Sequence, residues 1–156
     1  MKSIYKILKT LIRSFFPVKI IFKCEPFLRK LFYLFYIGKK FKCLVCNKQL
    51  RSFISHYNDK LCPNCGSSSR DRRLYKLITE KFLTNGMSIL DFSPSRSYYG
   101  KFKKNVSINY QASDLSNNFI AEHKFDLTKV DFEDNIFDLI ICYHVLEHII
   151  DDNKAI

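Results

Sequence analysis

Tryptophan is absent from the 156 residues, and glycine and proline number only four each. So few of the turn-forming residues exclude collagen-like, linker-like and propeller-like chains. Long hydrophobic runs are missing too. The longest, residues 31–37, has seven members, against the ~18 that would read as a membrane span. No secretory leader is expected, because Lys6, Lys9 and Arg13 interrupt any apolar stretch behind the basic start. Acids are scarce in the first half. Residues 1–42 hold 11 Lys and Arg against one acid, residues 43–83 hold eight against three, and residues 84–156 hold seven against eleven. Residues 1–83 therefore carry +15 and residues 84–156 carry −4, for a net of +11, and that asymmetry predicts at least two functional regions.

What is present supports a folded chain. Hydrophobic residues make up 47%, with 15 Phe and nine Tyr, so a packed core is expected rather than disorder. Of six cysteines, four form two close pairs, Cys43/Cys46 and Cys62/Cys65. The spacing C-x2-C-x15-C-x2-C predicts a four-thiolate zinc site. Two-residue gaps let both sulfurs of a pair turn onto one ion. With four protein ligands no coordination position stays open, so the expected zinc is structural. Disulfides and a redox or iron site are the alternatives, and a cytoplasmic setting disfavours disulfides. Gly66 follows the second pair, where a knuckle needs a left-handed residue. Cys24 and Cys142 read as plain buried thiols, and His56 as a loop histidine.

Periodicity orders the rest. Residues 1–16 predict an amphipathic helix, with Ile4, Ile7, Leu8, Leu11, Ile12 and Phe15 on one stripe and lysines opposite. Such a helix serves either an anionic membrane surface or packing on the protein itself. Pro26 is expected to break the next stretch, leaving a second helix over 27–36. Residues 50–57 can hold a short strand. Residues 69–83 predict a helix, capped by Ser68 or Ser69 and stopped at Asn85-Gly86. Beyond it the pattern turns to short apolar strands over 87–92, 107–112, 123–127 and 136–142, with a helix over 95–104 and another opening at His144. Acids recur where strands end, at Asp91, Asp114 and Asp126. In an open parallel sheet, ligands lie beyond the carboxyl ends of the strands. A carboxylate at the second strand's end is placed to accept both hydroxyls of a ribose.

Residues 132–155, with Asp-Asn-Ile-Phe-Asp-Leu-Ile-Ile followed by His-Val-Leu-Glu-His and Asp-Asp, resemble the fourth-strand segment of class I S-adenosylmethionine-dependent methyltransferases of the type 11 group. More narrowly, Cys-Pro-Asn-Cys-Gly-Ser-Ser-Ser-Arg-Asp-Arg-Arg-Leu and then Leu-Asp-Phe-Ser-Pro-Ser resemble bacterial methyltransferase-domain proteins with an N-terminal zinc ribbon. The resemblance covers roughly residues 40–156. It implies an α/β chain: an incomplete Rossmann-like methyltransferase sheet, preceded by basic amphipathic helices and a small zinc ribbon. The expected division is a basic helical region (1–38), the ribbon (39–68), a linker helix (69–86) and a partial methyltransferase domain (87–156). By position, Asp91, Phe92 and Ser93 would pass under the methionine part of S-adenosylmethionine. Asp114 and Leu115 would take the ribose, and Asp126 and Leu127 the adenine. Tyr143 and His144 would face the sulfonium and the acceptor, with His144 the base if the acceptor must lose a proton. The first loop, Ser-Pro-Ser-Arg-Ser, departs from the family's glycine-rich pattern. The sheet is expected to lack its later strands, as in a truncated copy or a subunit completed by a partner chain.

Three functions compete: a methyltransferase of unspecified acceptor, a basic zinc-ribbon module for nucleic acid carrying Arg70, Arg72 and Arg73, and a non-catalytic interaction subunit. The methyltransferase is the reading adopted. The expected setting is the cytoplasm, peripheral to the membrane's inner face if residues 1–40 meet anionic lipid.

Overall fold

In a computed structural model of the chain, residues 18–115, 121–129 and 132–155 are described, the side chains of 18–23 and 152 excepted. The helix expected over 1–16 lies outside them. The chain divides into two units, Met1–Gly66 and Ser67–Ile156.

The first unit begins with α1, Val18–Tyr33, which runs on into a 3-10 turn, Leu34–Tyr36. Pro26 lies inside this helix instead of dividing it. Proline removes one N–H and frees one carbonyl a turn earlier, and at the exposed Pro26 water can take that carbonyl. Strands β1 (Ile37–Lys42) and β2 (Gln49–Leu50) pair antiparallel around the first cysteine pair, with an irregularity between Ile37 and Phe41. A hairpin of β3 (Ile54–His56) and β4 (Asp59–Leu61) leads to the second pair. The strand expected over 50–57 is thus split between β2 and β3. The hairpin turns at Tyr57, whose φ of 51° is left-handed. The buried hydrophobic residues here are Cys43, Val45, Leu50 and Cys62.

The second unit opens with α2, Ser69–Leu77, which widens into a π turn over Ile78–Phe82. Its start is fixed by a capping box. Asp71 N donates to Ser68 Oγ at 3.1 Å, and Ser68 N donates to Asp71 Oδ2 at 2.8 Å. A parallel sheet follows, built of β5 (Ser88–Phe92), β6 (Asn109–Ser113) and β7 (Leu139–Ile141) in the order β6-β5-β7. Helix α3, Arg96–Lys103, lies in the crossover from β5 to β6, since parallel neighbours cannot be joined by a tight turn. Asp138 starts β7 by gripping β5. Its carboxylate accepts from Ser88 N at 2.7 Å, and its own N–H donates to Ser88 O at 2.9 Å. This is the partial Rossmann-like sheet that the sequence implies.

Aromatic rings fill the space over the sheet. Phe102 packs on Tyr75, Tyr98 and Tyr110 with centroid distances of 5.3, 5.6 and 5.4 Å. Two expected elements take other forms. Residues 123–127 make a parallel bridge, Ser113 to His123, and a 3-10 turn, Leu127–Lys129, not a strand. Both Thr128 donors go to the Asp126 side chain, which favours the turn. After β7 the chain makes 3-10 turns, Leu146–His148 and Asp152–Lys154, instead of an α-helix. His144, at φ 59°, is incompatible with a right-handed helix at that point.

Candidate functional site

The four paired cysteines meet in the first unit. Their sulfurs lie within 4.8 Å of one another, with Cys43–Cys65 and Cys46–Cys62 both at 3.7 Å. A tetrahedral ion with thiolates at about 2.3 Å sets sulfurs roughly 3.8 Å apart, so the residues fit zinc. The two knuckles repeat one another. Asn47 N donates to Cys43 O at 2.8 Å, and Gly66 N to Cys62 O at 2.9 Å. Both following residues are left-handed, Asn47 at φ 57° and Gly66 at 77°. Sequence reasoning found Gly66 and missed Asn47, although each directly follows the second cysteine of its pair. The thiols cannot titrate independently. Cys43 pushes Cys46 up, while Cys62 and Cys65 outweigh it and bring Cys46 down to about 6. Cys62 is pushed up, first by Cys43 and then by Cys46. A cation would remove this conflict by favouring all four thiolates.

The second cluster gathers at the carboxyl ends of β5 and β6. Asp91, wholly buried in the central strand, accepts from the Tyr110 hydroxyl at 2.8 Å through Oδ2. Its Oδ1 is buried with no hydrogen-bond partner among the described residues. Burial raises the Asp91 carboxyl and outweighs the lowering Tyr110 bond, leaving it pushed up to about 7. Tyr110 in turn is pushed up by burial and by the Asp91 charge. Nothing in the spacing of the sequence pairs these two, because the contact follows from the register Asp91–Ala112 across β5 and β6.

Phe92 is buried, and Ser93 turns the chain out of β5 at φ 54°. That is the conformation for which glycine is the usual residue, so the Ser-Pro-Ser loop follows a glycine-like path without a glycine. Ser93 N donates to Ser113 O at 2.8 Å, and Ser93 Oγ to Asp114 Oδ2 at 2.9 Å. Asp114 is itself buried, one residue past β6. Leu115 beside it is exposed. The following segment is tied to the same strand end. Asp114 N donates to His123 O at 3.1 Å, and Phe125 N to Ser113 Oγ at 2.8 Å. Asp126 caps its turn through Oδ1, with Thr128 Oγ1 at 2.7 Å and Thr128 N at 3.0 Å. Those bonds hold its carboxyl below the usual range, and Leu127 is half-buried in the same turn. Asp114 is thus tethered to Ser93, which follows Asp91 by two residues in the chain. Asp126 reaches the same end of the sheet from a turn instead of a strand.

Tyr143 is half-buried after β7 and packs edge-on against the His144 ring at 4.6 Å. His144 Nε2 lies 2.7 Å from Arg70 Nη1, and His144 Nδ1 lies 2.8 Å from Glu147 Oε1. Arginine only donates, so Nε2 is the acceptor and Nδ1 carries the proton toward Glu147. The hydrogen bond from His144 first, and the charge of Arg70 after it, hold Glu147 low. The Nε2 lone pair of His144 is therefore covered by the Arg70 guanidinium. Of the neighbouring arginines, Arg72 donates to Ser67 O at 2.6 Å and to Ser69 Oγ at 3.1 Å. Sequence reasoning missed the Arg70 and Glu147 partners. The Ser-Ser-Ser-Arg segment was the available signal for the first.

The parallel sheet thus carries buried acids near the carboxyl ends of adjacent strands, the side on which open sheets of this kind hold ligands. A family model described as a methyltransferase domain matches residues 79–156, and the chain belongs to that family. Membership supports a methyltransferase in general. No curated protein matches the chain, and no solved structure does.

Proposed function

We propose that the second unit binds S-adenosylmethionine at the β5 and β6 strand ends and directs methyl transfer to a nucleophilic acceptor, and that the cysteine cluster holds one structural zinc ion. The observation that carries the reading is the buried Asp114 carboxylate, tethered to a left-handed Ser93 between parallel strands. When bound, the cofactor supplies a methyl group on a sulfonium, open to in-line attack. Every other contribution belongs to the chain. Asp114 accepts from the ribose hydroxyls, and Ser93 keeps its carboxylate from rotating. Asp91 offers its unsatisfied Oδ1 beneath the loop of Phe92 and Ser93. Leu115 stands beside the ribose, and Asp126 and Leu127 flank the base. Tyr143 and His144 lie on the acceptor side, and His144 takes a proton from acceptors that must lose one. Positioning and dehydration of the reacting groups supply most of the rate. Among the described residues no strand pairs the outer side of β7, and a partner strand there would complete the sheet.

Titration calorimetry with S-adenosylmethionine tests the reading. One site per chain is expected. Asp114→Ala should weaken it about a hundredfold, roughly 3 kcal/mol for a lost charge-assisted pair. Heats that are absent from the parent chain, or unchanged in the variant, contradict the assignment. Metal analysis should return about one zinc per chain.

A further inference from the structure

Helix α1 is amphipathic the wrong way round. Among the described side chains, Glu25, Arg29 and Tyr33 of α1 and Tyr36 of the 3-10 turn that continues it are the half-buried positions. That polar face is fastened to the rest of the first unit. Arg29 pairs with Glu25 at 2.7 Å. Its guanidinium lies over Gly66, where an added Cβ would meet it at 2.8 Å. Tyr33 donates its hydroxyl proton to Gln49 O at 3.0 Å. Arg51 lies over the Tyr36 ring at 5.6 Å. The opposite face is apolar and open. Phe27, Leu31 and Phe35 are 64%, 48% and 70% exposed, with Leu28 and Phe32 beside them. A helix that buries its polar side and presents phenylalanine and leucine outward is built to be covered.

Charge decides what covers it. Residues 1–42 hold 11 Lys and Arg against one acid, and Lys30 on α1 with Lys39 and Lys40 in the strand that follows are exposed. A second copy would set like charge against like. Residues 1–17 carry four basic side chains and no acid, so they bring no complement either. Nucleic acid would pair with the lysines and stack on the phenylalanines, but it gives Leu28 and Leu31 no apolar cover. An anionic lipid surface meets both demands, acyl chains for the side chains and headgroups for the lysines. Among the described residues no helix is long and apolar enough to cross a membrane, so α1 would lie in the plane of the interface. We propose that the outer face of α1 docks the protein on anionic membrane surfaces, with the cysteine-centred unit as the rigid mount that turns this face outward.

Vesicle flotation of the full chain tests this, using phosphatidylcholine alone and phosphatidylcholine with added phosphatidylserine. The chain should float with the anionic vesicles and stay behind with the neutral ones. Leu31→Glu with Phe35→Glu should cut partitioning at least about tenfold, because two inserted side chains become charged. Lys39→Glu with Lys40→Glu should cut it several-fold, roughly, and added salt should mimic them. Zinc content and circular dichroism of each variant verify that the unit still folds. No flotation with anionic vesicles, or flotation that ignores the face substitutions, overturns the proposal. So does a concentration-dependent dimer, or a complex with a single-stranded RNA, that Leu31→Glu with Phe35→Glu abolishes.

Discussion

The two units are held together by different physics. Among the described residues of the first, two of the four buried hydrophobic ones are cysteines, joined by Val45 and Leu50. The second buries Ile89, Leu90, Phe92, Tyr98, Phe102 and Tyr110 around a parallel sheet. About fifty residues with so few aliphatics inside cannot offset their chain entropy by burial alone. The first unit therefore leans on what its sulfurs bind. The second unit has a core of its own, and spends part of it on a buried carboxylate that lowers stability. One unit places its polar cluster where an ion completes the fold. The other places one where a ligand can.

Chelation should separate them most sharply. Removing zinc is expected to collapse the amide spectrum of the first unit, since metal binding in such sites contributes about 10 kcal/mol or more of folding free energy. The dispersed signals of 67–156 should persist. Simultaneous loss of both sets would show that the units are not independent.

Asp91 gives the next largest effect. Its folded pKa, about 7, lies above the ordinary 3.8. The neutral form is thus favoured on folding. Its stabilisation is complete below about pH 4 and is lost as pH rises through about 7. Melting of the second unit without cofactor should weaken across that window by an amount on the order of 2–4 kcal/mol. Asp91→Asn should flatten the profile, and an equal slope in the variant would place the titration elsewhere.

Tyr110→Phe should follow. It leaves Asp91 Oδ2 without its hydroxyl donor, a loss of about 1–3 kcal/mol in thermal unfolding. The smallest change is expected from Ser93→Gly. Relief of the left-handed backbone offsets the lost bond to Asp114, so unfolding should move by less than about 1 kcal/mol. Cofactor affinity should fall more than stability does, because Asp114 loses its tether. The reverse ordering would deny Ser93 a part in positioning.

How much of this was legible follows from the range of each interaction. The cysteine cluster, the Ser68 cap and strand β5 rest on local spacing, and the sequence carries local spacing directly. Pro26 misled because its cost depends on exposure, which the sequence does not display. The strand expected over 123–127 failed because the Asp126–Thr128 bonds compete with a ladder. Asp91–Tyr110, Ser93–Asp114 and Arg70–His144 are 19, 21 and 74 residues apart, and only tertiary register brings them together. Recognising strand ends placed the acids, but their partners had to come from the fold.

The sharpest single measurement is an amide chemical-shift map of the zinc-loaded chain titrated with S-adenosylhomocysteine. Saturable shifts at Ser93, Asp114, Leu115, Asp126 and Leu127, with residues 37–66 unmoved, are what a nucleoside pocket at the β5 and β6 ends predicts. A spectrum unchanged at saturating ligand, or shifts confined to the cysteine unit, would contradict it.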